Sequence, residues 1–198
     1  MMQTPANDYY AYQPTIRLRQ PLVVTGYPGL PFRTLAYELA EMTGLSLTDV
    51  DRWVEHEVGT SLSSLVREQG MAALRRRQAT LVSRSLATSP PRLLVISDQV
   101  LLEPSTFDAV RAAANTIYFY SDRATLFWKT RQWTREHGVL PHPSLPTPLE
   151  RPQQLDGILA ARSAVLQQAD RTFRLEGEPD QATMDHLLLA VEQLTAEI

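Results

Sequence analysis

The sequence has no cysteine and few features of a secreted, membrane or nucleic-acid-binding protein. Without cysteine it cannot form a disulfide, a thiol nucleophile or a cysteine-based metal site. No apolar run approaches the ~20 residues of a membrane span, and residues 1–20 lack the charged start and apolar core of a signal peptide. The net charge of −3 argues against an electrostatically bound nucleic acid. We therefore expect a cytoplasmic protein with no membrane or nucleic-acid partner.

Lysine and clustered metal ligands are also scarce. Of the 19 basic residues, 18 are arginine, and the single lysine, Lys129, is far in sequence from the glycine-containing stretch near the start of the chain. The four histidines show no metal-ligand spacing: His56, His137, His142 and His186. Local sequence therefore predicts neither a lysine-based phosphate site nor a histidine-based metal site.

The stretch from Leu22 to Thr34 has the outline of a phosphate-binding loop. A short apolar run, Pro21 to Thr25, predicts a buried parallel strand, and apolar positions with helical spacing follow up to Gly44. A strand, a glycine-containing turn and a helix form the context of the phosphate-binding motif G-x-x-x-x-G-K-[ST]. Gly26 matches the first glycine of the motif, but its last three positions are taken by Pro31, Phe32 and Arg33.

These replacements remove the groups that hold phosphate. Pro28 and Pro31 have no N–H to donate, and Phe32 has no charge. Each lost charge-assisted hydrogen bond is worth roughly 1.5–3 kcal/mol, so losing several would weaken a micromolar nucleotide site to about millimolar or worse. The alternative is that Arg33 serves as a substitute cation and Thr34 as the metal-holding hydroxyl. The degenerate loop predicted from the sequence comprises Gly26, Gly29, Pro31, Phe32, Arg33 and Thr34.

Hydrophobic periodicity and turn residues predict five strands that alternate with helices. The predicted strands are Pro21–Thr25, Leu45–Asp51, Arg92–Asp98, Thr116–Tyr120 and Arg171–Leu175. The predicted helices include Arg52–Val58, Pro104–Ala114, Ala124–His137 and Gln153–Ala169, and a last helix capped by Asp180. This alternation predicts an α/β fold with a five-stranded, mainly parallel sheet flanked by helices.

The chain is predicted to form one domain with an N-terminal arm. Residues 1–20 are polar and contain prolines, which predicts a flexible arm; docking on a partner subunit is the alternative for Tyr9, Tyr10 and Tyr12. Residues 21–198 form the domain. Within it, residues 138–152 contain five prolines, so we expect a loop rather than a helix there.

Acidic residues follow the predicted second and third strands. Ligands of such sheets bind at the carboxyl ends of the strands, where Asp49, Asp51 and Asp98 fall. Asp51 can also cap the helix that follows it. Asp98 occupies a position where an acid either holds a metal ion or caps a turn, and both interpretations stay open. If a metal ion is bound at all, Asp49 and Asp98 are its candidate ligands.

The order of these motifs resembles the shikimate kinase family over about residues 21–198. Asp49-Val50-Asp51 matches the family's Asp-x-Asp and is followed at the family spacing by Gly59. The segment Gly70–Arg75 matches a Gly-to-Arg motif, and Arg162–Leu166 lies where an Arg-x-x-Leu-Tyr helix begins. The resemblance implies a P-loop kinase architecture, similar to nucleoside monophosphate kinases, with a degenerate lid near residues 138–152. The family's loop lysine, its lid motif Arg-Pro-Leu-Leu and its triple glycine are missing, the last replaced near Ser97.

The resemblance also implies a ligand site. In the family the second aspartate and two arginines hold shikimate, and these positions correspond to Asp51, Arg75 and Arg162. Two arginines with one acid would form a positively charged pocket suited to a small carboxylate. A structural ion pair between Asp51 and either arginine is the alternative. From the sequence we also expect that either arginine can be removed with little effect on the fold.

These residues predict a shikimate-kinase-like pseudoenzyme that has lost ATP-dependent phosphoryl transfer and binds a small carboxylate or a protein partner. No cofactor is expected under this hypothesis. Two alternatives stay open. One is an atypical active kinase of a shikimate-like hydroxy acid, which would use ATP and Mg²⁺ with Arg33 as cation and Asp51 as base. The other is a purely structural assembly protein.

Overall fold

The computed structural model describes residues 16–196, which form one five-stranded sheet surrounded by helices. The strands are β1 (Leu22–Gly26), β2 (Leu47–Asp49), β3 (Leu93–Val95), β4 (Asn115–Tyr120) and β5 (Arg171–Arg174). They lie in the order β2-β3-β1-β4-β5, and every neighbouring pair is parallel. All five carboxyl ends therefore meet at one edge of the sheet, and the predicted α/β fold is confirmed.

Eight α-helices connect the strands in the part of the chain that the structure describes. They are α1 (Phe32–Thr43), α2 (Val50–Val58), α3 (Leu62–Gln69), α4 (Met71–Leu86), α5 (Pro104–Ala113), α6 (Arg123–His137), α7 (Asp156–Gln167) and α8 (Gln181–Ala196). Helix α1 contacts α8, whereas α4 contacts α2, α3 and α5. Two short 3₁₀ helices span Asp98–Leu102 and Pro152–Leu155. No helix among these residues is both long and apolar enough to cross a membrane.

The central strand β1 and its neighbour β3 form the centre of the core. Every residue of β1 and β3 is buried, so both faces of these strands are covered. Continuous apolar runs are typical of parallel strands with helices on both faces. Val24 of β1 is in register with Val95 of β3 and Ile117 of β4, and all three are fully buried. This packing fixes the position of the loop that follows β1.

Local sequence signals set most helix ends. Gly44 and Gly59 end α1 and α2 with φ angles of 74° and 68°, a left-handed conformation that glycine adopts without strain. Helix α2, however, begins two residues earlier than predicted. Its cap is Asp49, whose carboxylate accepts hydrogen bonds from two backbone N–H groups of the first turn. The predicted cap at Asp51 is therefore wrong, because Asp51 already lies in that turn and its carboxylate is bound elsewhere.

Two predicted strands and one predicted helix are shorter than expected by more than one residue. The second strand covers only three residues because Asp49 already caps α2, and the third covers three because its pairing with both β1 and β2 stops at Val95. The helix predicted to start at Gln153 begins as a 3₁₀ turn and ends two residues early. The predicted cap at Asp180 is confirmed, since its carboxylate accepts the N–H of Thr183 at 2.9 Å.

The proline-rich segment, residues 138–152, contains no α-helix and no strand, as predicted. It is nevertheless packed against the domain, because Leu145 is only 4% exposed. The side chain of Gln154 holds the end of the segment by accepting two backbone N–H groups at 2.7 and 2.8 Å. The segment is therefore a fixed part of the carboxyl edge of the sheet.

Contacts with the core begin inside the predicted N-terminal arm. Ile16 is 8% exposed, and Leu18 packs against the core. The three tyrosines considered for docking, Tyr9, Tyr10 and Tyr12, lie outside the described residues.

Candidate functional site

The loop after β1 uses its backbone to bind the protein itself. The N–H of Tyr27 donates to the carbonyl of Phe119 at 3.0 Å, and the N–H of Leu30 donates to the carbonyl of Tyr27 at 3.1 Å. Pro28 and Pro31 have no N–H. Four of the five residues between β1 and α1 therefore have no free amide to offer a phosphate group.

Gly26 and Phe32 explain the path of this loop. A Cβ atom on Gly26 would lie 2.7 Å from the carbonyl oxygen of Phe119, which is too close for any other residue. An atom of the Phe32 ring would lie 3.1 Å from the same Cβ, and Phe32 is only 4% exposed. The side chain at the lysine position of the motif is therefore packed into the core.

Arg33, the next residue of α1, binds the acids at the end of β2. Its Nη1 donates to Oδ1 of Asp49 at 2.6 Å, and its Nη2 donates to Oδ2 of Asp51 and, at 3.1 Å, to Oγ of Ser97. The Arg33 side chain is 30% exposed, whereas both carboxylates are almost fully buried. Burial opposes the charge, but the two carboxylates hold the pKa of Arg33 above its ordinary value. Arg33 is thus the counter-ion of a buried acid pair.

Both oxygens of the Asp51 carboxylate are occupied. Gln78 of α4 donates to Oδ1, while Oδ2 accepts from Arg33 and from the hydroxyl of Ser97. Burial alone would raise the pKa of Asp51, but the charge of Arg33 and these hydrogen bonds lower it below its ordinary value. Nε2 of Gln99 extends the network by donating to Gln78 at 2.8 Å. A carboxylate held in this way is a weak general base for a substrate hydroxyl.

A second buried ion pair lies just after β3. Nε of Arg162, on α7, donates to Oδ2 of Asp98 at 2.6 Å, and the two side chains are 4% and 2% exposed. The hydroxyl of Tyr118 donates to the same oxygen at 2.7 Å. Burial raises the pKa of Asp98, although Arg162 and Tyr118 counteract it. The sequence left Asp98 as a metal ligand or a turn cap, and the structure places it beside a buried arginine.

The acids that the sequence offered as metal ligands are thus both bound to arginines, Asp49 to Arg33 and Asp98 to Arg162. Among residues 16–196, no group of three or more histidine, aspartate or glutamate side chains is arranged to hold a metal ion. Thr34, the proposed metal-holding hydroxyl, lines the cavity described below.

His142, in the proline-rich segment, lies against the acid cluster. Its side chain is 7% exposed, and its Nε2 lies 3.7 Å from Oδ2 of Asp51. The N–H of Ser144 donates to Nδ1 at 3.1 Å, so the neutral ring carries its proton on Nε2. Burial and the charges of Arg33 and Arg162 lower the pKa of His142 to about 4, against the opposing effect of Asp51. The ring is therefore neutral at pH 7, and Nε2 has no hydrogen-bond partner among the described residues.

We expect His142 to make the protein less stable in mild acid. Its pKa falls from 6.5 to about 4 on folding, so the unfolded chain binds the proton first and stability decreases as the pH drops below 6.5. Between pH 6.5 and pH 5 this loss amounts to roughly 2 kcal/mol. In His142→Gln the corresponding slope should disappear, as measured by urea unfolding at several pH values. The exposed His186→Gln is the control, and an unchanged slope in His142→Gln would contradict the assignment.

A cavity of about 500 Å³ lies between the loop after β1, helix α6 and the proline-rich segment. Lys129 of α6 lines it, although it is far from the loop in sequence. Nζ of Lys129 donates to Oε1 of Glu178 at 2.6 Å, and the Glu178 side chain is 80% exposed. Trp133 and His137, stacked with ring centroids 3.9 Å apart, form another part of the wall. The cavity therefore combines aromatic surface with charges of both signs.

The charges around this cavity do not produce a positive pocket. Its lining carries two cationic and three acidic side chains. The buried cluster beside it contains two arginines, Arg33 and Arg162, against three aspartates. Asp98 neutralises Arg162, one of the two arginines of the predicted positive pocket, and a positive charge supplied there by Arg75 stays a prediction.

The model of the shikimate kinase family matches residues 33–192. The chain belongs to the shikimate kinase family. The match begins at Arg33, the second residue of α1.

Individual shikimate kinases are similar to this chain at low identity. The enzyme of Chlorobium chlorochromatii is 29% identical over 105 residues, which cover 53% of this chain and 55% of that enzyme. The enzyme of Paramagnetospirillum magneticum is 25% identical over 168 residues, covering 85% of this chain and 82% of its own length. The first match thus spans little more than half of the relative, and the second spans most of it.

Solved shikimate kinase structures share the fold. The structure from Acinetobacter baumannii, in complex with shikimate, has a TM-score of 0.70 at 20% identity and covers 88% of this chain and 92% of its own. The structure from Bacteroides thetaiotaomicron has a TM-score of 0.68 at 18% identity, covering 88% of this chain and 96% of its own. The architecture predicted from the sequence is therefore that of a shikimate kinase.

Of the three residues that the shikimate kinase resemblance assigned to a ligand, two lie in the buried ion-pair clusters and one lies outside them. Asp51 and Arg162 lie in the buried clusters, but each is paired with a different residue. Arg75 lies on α4, one turn before Gln78, and is half-buried. Its Nε is buried without a hydrogen-bond partner among the described residues. The structural ion pair that the sequence offered for Asp51, with Arg75 or Arg162, is not formed among the described residues, because Asp51 pairs with Arg33 and Arg162 pairs with Asp98.

Contributors to the site of this shikimate kinase homologue that were missed from the sequence include Gln78, Tyr118, Lys129 and His142. Gln78 had a usable signal, because a polar residue there interrupts the apolar stripe that Leu74 and Leu81 define on α4. Lys129 and His142 had none, since only the folded chain brings α6 and the proline-rich segment to the loop.

Proposed function

We propose that this member of the shikimate kinase family no longer transfers phosphate from ATP and acts by binding. The observation that carries the proposal is the double ion pair of Arg33 with Asp49 and Asp51. These contacts neutralise Arg33, the substitute cation considered for the phosphate-binding loop. They also occupy the carboxylate of Asp51, which would act as the base of an active kinase. Arg33 and Asp51, the two residues that an active kinase would use here, are therefore bound to each other.

The surroundings of the loop also disfavour ATP. The loop offers few free amides, and Phe32 is buried where the motif has lysine. The cavity next to it is lined by more acidic than cationic side chains, which repel an anionic nucleotide. A phosphoryl-transfer site requires fixed positive charge at the phosphates.

A small hydroxy carboxylate of the shikimate type is the ligand class that we propose. One structural neighbour is a shikimate kinase in complex with shikimate. Arg75 supports the proposal, because its Nε is buried without a partner one helical turn before Gln78, which binds Asp51. Arg162 would stay paired with Asp98, because releasing it would leave a buried carboxylate without a counter-charge. A protein partner is the other binding mode considered.

An active kinase is the second candidate, and the position of Lys129 favours it. This lysine lines the same cavity as the loop and could supply the missing charge if it left Glu178. The pair is accessible on the Glu178 side, where exposed ion pairs contribute little stability. Under this alternative, Lys129→Met would abolish an ATP-dependent rate with shikimate.

Thermal unfolding tests the proposal. ATP at 1 mM with Mg²⁺ should leave the melting temperature unchanged, because a site weaker than about 10 mM adds less than ~0.1 kcal/mol. Shikimate should raise the melting temperature of the native chain, and less so that of Arg75→Met. Arg77→Met, which changes an exposed arginine two positions away, is the matched control.

The arms of this experiment separate the candidates. A rise of several degrees with ATP–Mg²⁺ would overturn the loss of nucleotide binding and favour the active kinase. No response to either compound would remove the carboxylate ligand and leave binding of a protein partner. A shikimate response that Arg75→Met does not reduce would remove Arg75 from the proposed site.

A further inference from the structure

An exposed stripe on α6 faces away from the buried acid cluster. Trp128, Arg131 and Arg135 follow one another at spacings of three and four residues, so they lie on one face of the helix. Trp128 is 65% exposed, more than any other large hydrophobic side chain in residues 16–196. Phe127 contacts it edge to face, with ring centroids 5.2 Å apart, and the guanidinium of Arg131 lies 5.7 Å from the Phe127 ring. An exposed aromatic side chain next to arginine is typical of an interaction surface.

The proline-rich segment turns this stripe into a groove. Leu140, Pro148 and Leu149 line the groove together with the stripe, and its volume is about 610 Å³. Gln154 fixes this side of the groove, because its Nε2 donates to the carbonyl of Pro148 at 2.9 Å. A groove that is formed before binding costs less conformational entropy to occupy.

The charges of the groove are of one sign. Arg131 and Arg135 are its ionisable lining residues, both are exposed, and neither forms an ion pair within the described range 16–196. Other cations of the same helix are paired. Arg123 lies 2.8 Å from Asp156, and Lys129 lies 2.6 Å from Glu178. The chain as a whole has a net charge of −3, so the groove is a local exception. Its charge is complementary to an acidic partner.

We infer that this groove docks an extended, acidic segment of a partner protein. Arg131 and Arg135 are about 6 Å apart along the helix axis. Acidic residues i and i+2 of an extended peptide project to the same side and lie about 6.6 Å apart, which matches this spacing. Trp128 lies about 4.5 Å further along the axis, roughly 2 Å short of the next residue on that side, a distance that the large tryptophan side chain spans. The recognised chemistry is one apolar and two acidic residues at alternating positions.

A peptide suits the groove better than a nucleic acid. Its wall is largely apolar, with leucine and proline side chains, and offers two cations rather than a long basic track. The overall negative charge of the chain also opposes a polyanion. The inference does not depend on whether ATP is bound, because the arginines and the tryptophan of the groove do not line the cavity beside the loop.

The experiment selects ligands for the immobilised full chain from a phage-displayed library of random 12-residue peptides. We expect enrichment of peptides with one apolar and two acidic residues at alternating positions. Their affinities, measured by fluorescence polarisation, should fall by about tenfold or more in Trp128→Ala and in Arg131→Glu/Arg135→Glu. Two controls change exposed residues elsewhere, Trp53→Ala and Arg76→Glu/Arg77→Glu, and should leave the affinities unchanged.

Several results would overturn this docking site. They are the absence of enriched peptides, enrichment of peptides without acidic residues, and binding that survives both groove variants. Binding of a 12-nucleotide single strand and self-association in sedimentation velocity are measured with the same variants. If the groove variants lose one of these and keep peptide binding, that molecule replaces the peptide as the occupant of the groove. Circular dichroism checks that each variant folds. If the charge-reversed variant Arg131→Glu/Arg135→Glu does not fold, Arg131→Gln/Arg135→Gln is used in its place.

Discussion

Replacing Arg162 with methionine should lower the free energy of unfolding by about 3–5 kcal/mol, because it leaves the Asp98 carboxylate buried without a counter-charge. Both side chains of this pair are at most 4% exposed, so water cannot take the place of the guanidinium. Arg162 also donates from Nη1 to the carbonyl of Ile158 at 3.2 Å, and that bond is lost as well. The sequence-based expectation of little effect on the fold is therefore replaced by a large one.

Chemical denaturation of three variants measures this effect. Arg123→Met removes an exposed arginine paired with Asp156, and it should change stability by less than about 1 kcal/mol. The double variant Arg162→Met/Asp98→Asn should recover part of the loss, since it removes the unpaired charge. A single-variant loss no larger than that of Arg123→Met would show that the pair is not needed for folding.

Replacing Arg33 with methionine should cost about 3 kcal/mol at pH 7, because two buried carboxylates would then face each other without a cation. Asp49 and Asp51 are 3% and 7% exposed in their side chains, so solvent screens them little. Without Arg33, burial would raise the pKa of Asp51 above its unfolded value. The penalty should therefore shrink as the pH is lowered from 7 toward 4, where the carboxyl group becomes protonated.

Urea unfolding of Arg33→Met and of the native chain at pH 7 and pH 4.5 gives both quantities. Arg52→Met is the matched control, because Arg52 is exposed on the neighbouring helix α2 and contacts the ring of Tyr37 at 5.5 Å. Its effect should be small and independent of pH. A penalty for Arg33→Met that stays constant across this pH range would mean that the aspartates do not respond to the loss of their counter-ion.

The fold could be predicted because its determinants are local. The apolar run of β1 and the glycines after α1 and α2 act within a few residues, and they gave the correct element types. The errors lie at element ends that depend on partners distant in sequence. The third strand stops at Val95, where its pairing with both β1 and β2 ends, and no local pattern records where a neighbouring strand stops pairing.

The site was predictable in its position and only partly in its pairings. Sequence placed Asp49, Asp51 and Asp98 at the carboxyl edge of a parallel sheet, and the structure confirms that edge. It could not decide which arginine meets which acid, since Arg162 and Asp98 are 64 residues apart. Such choices depend on side-chain reach across helices and strands, to which hydrophobic periodicity is insensitive.

Lys129 has a practical consequence because it is the only lysine of the sequence and lines the cavity beside the loop. Reductive methylation with ¹³C-formaldehyde would place NMR-visible labels on Lys129 and on the α-amino group of the chain, so Lys129 is the only side chain that carries one. The amine is held by Glu178 at 2.6 Å, so its chemical shift reports directly on that contact. Occupancy of the cavity could then be followed through one resonance, without isotope labelling of the rest of the protein.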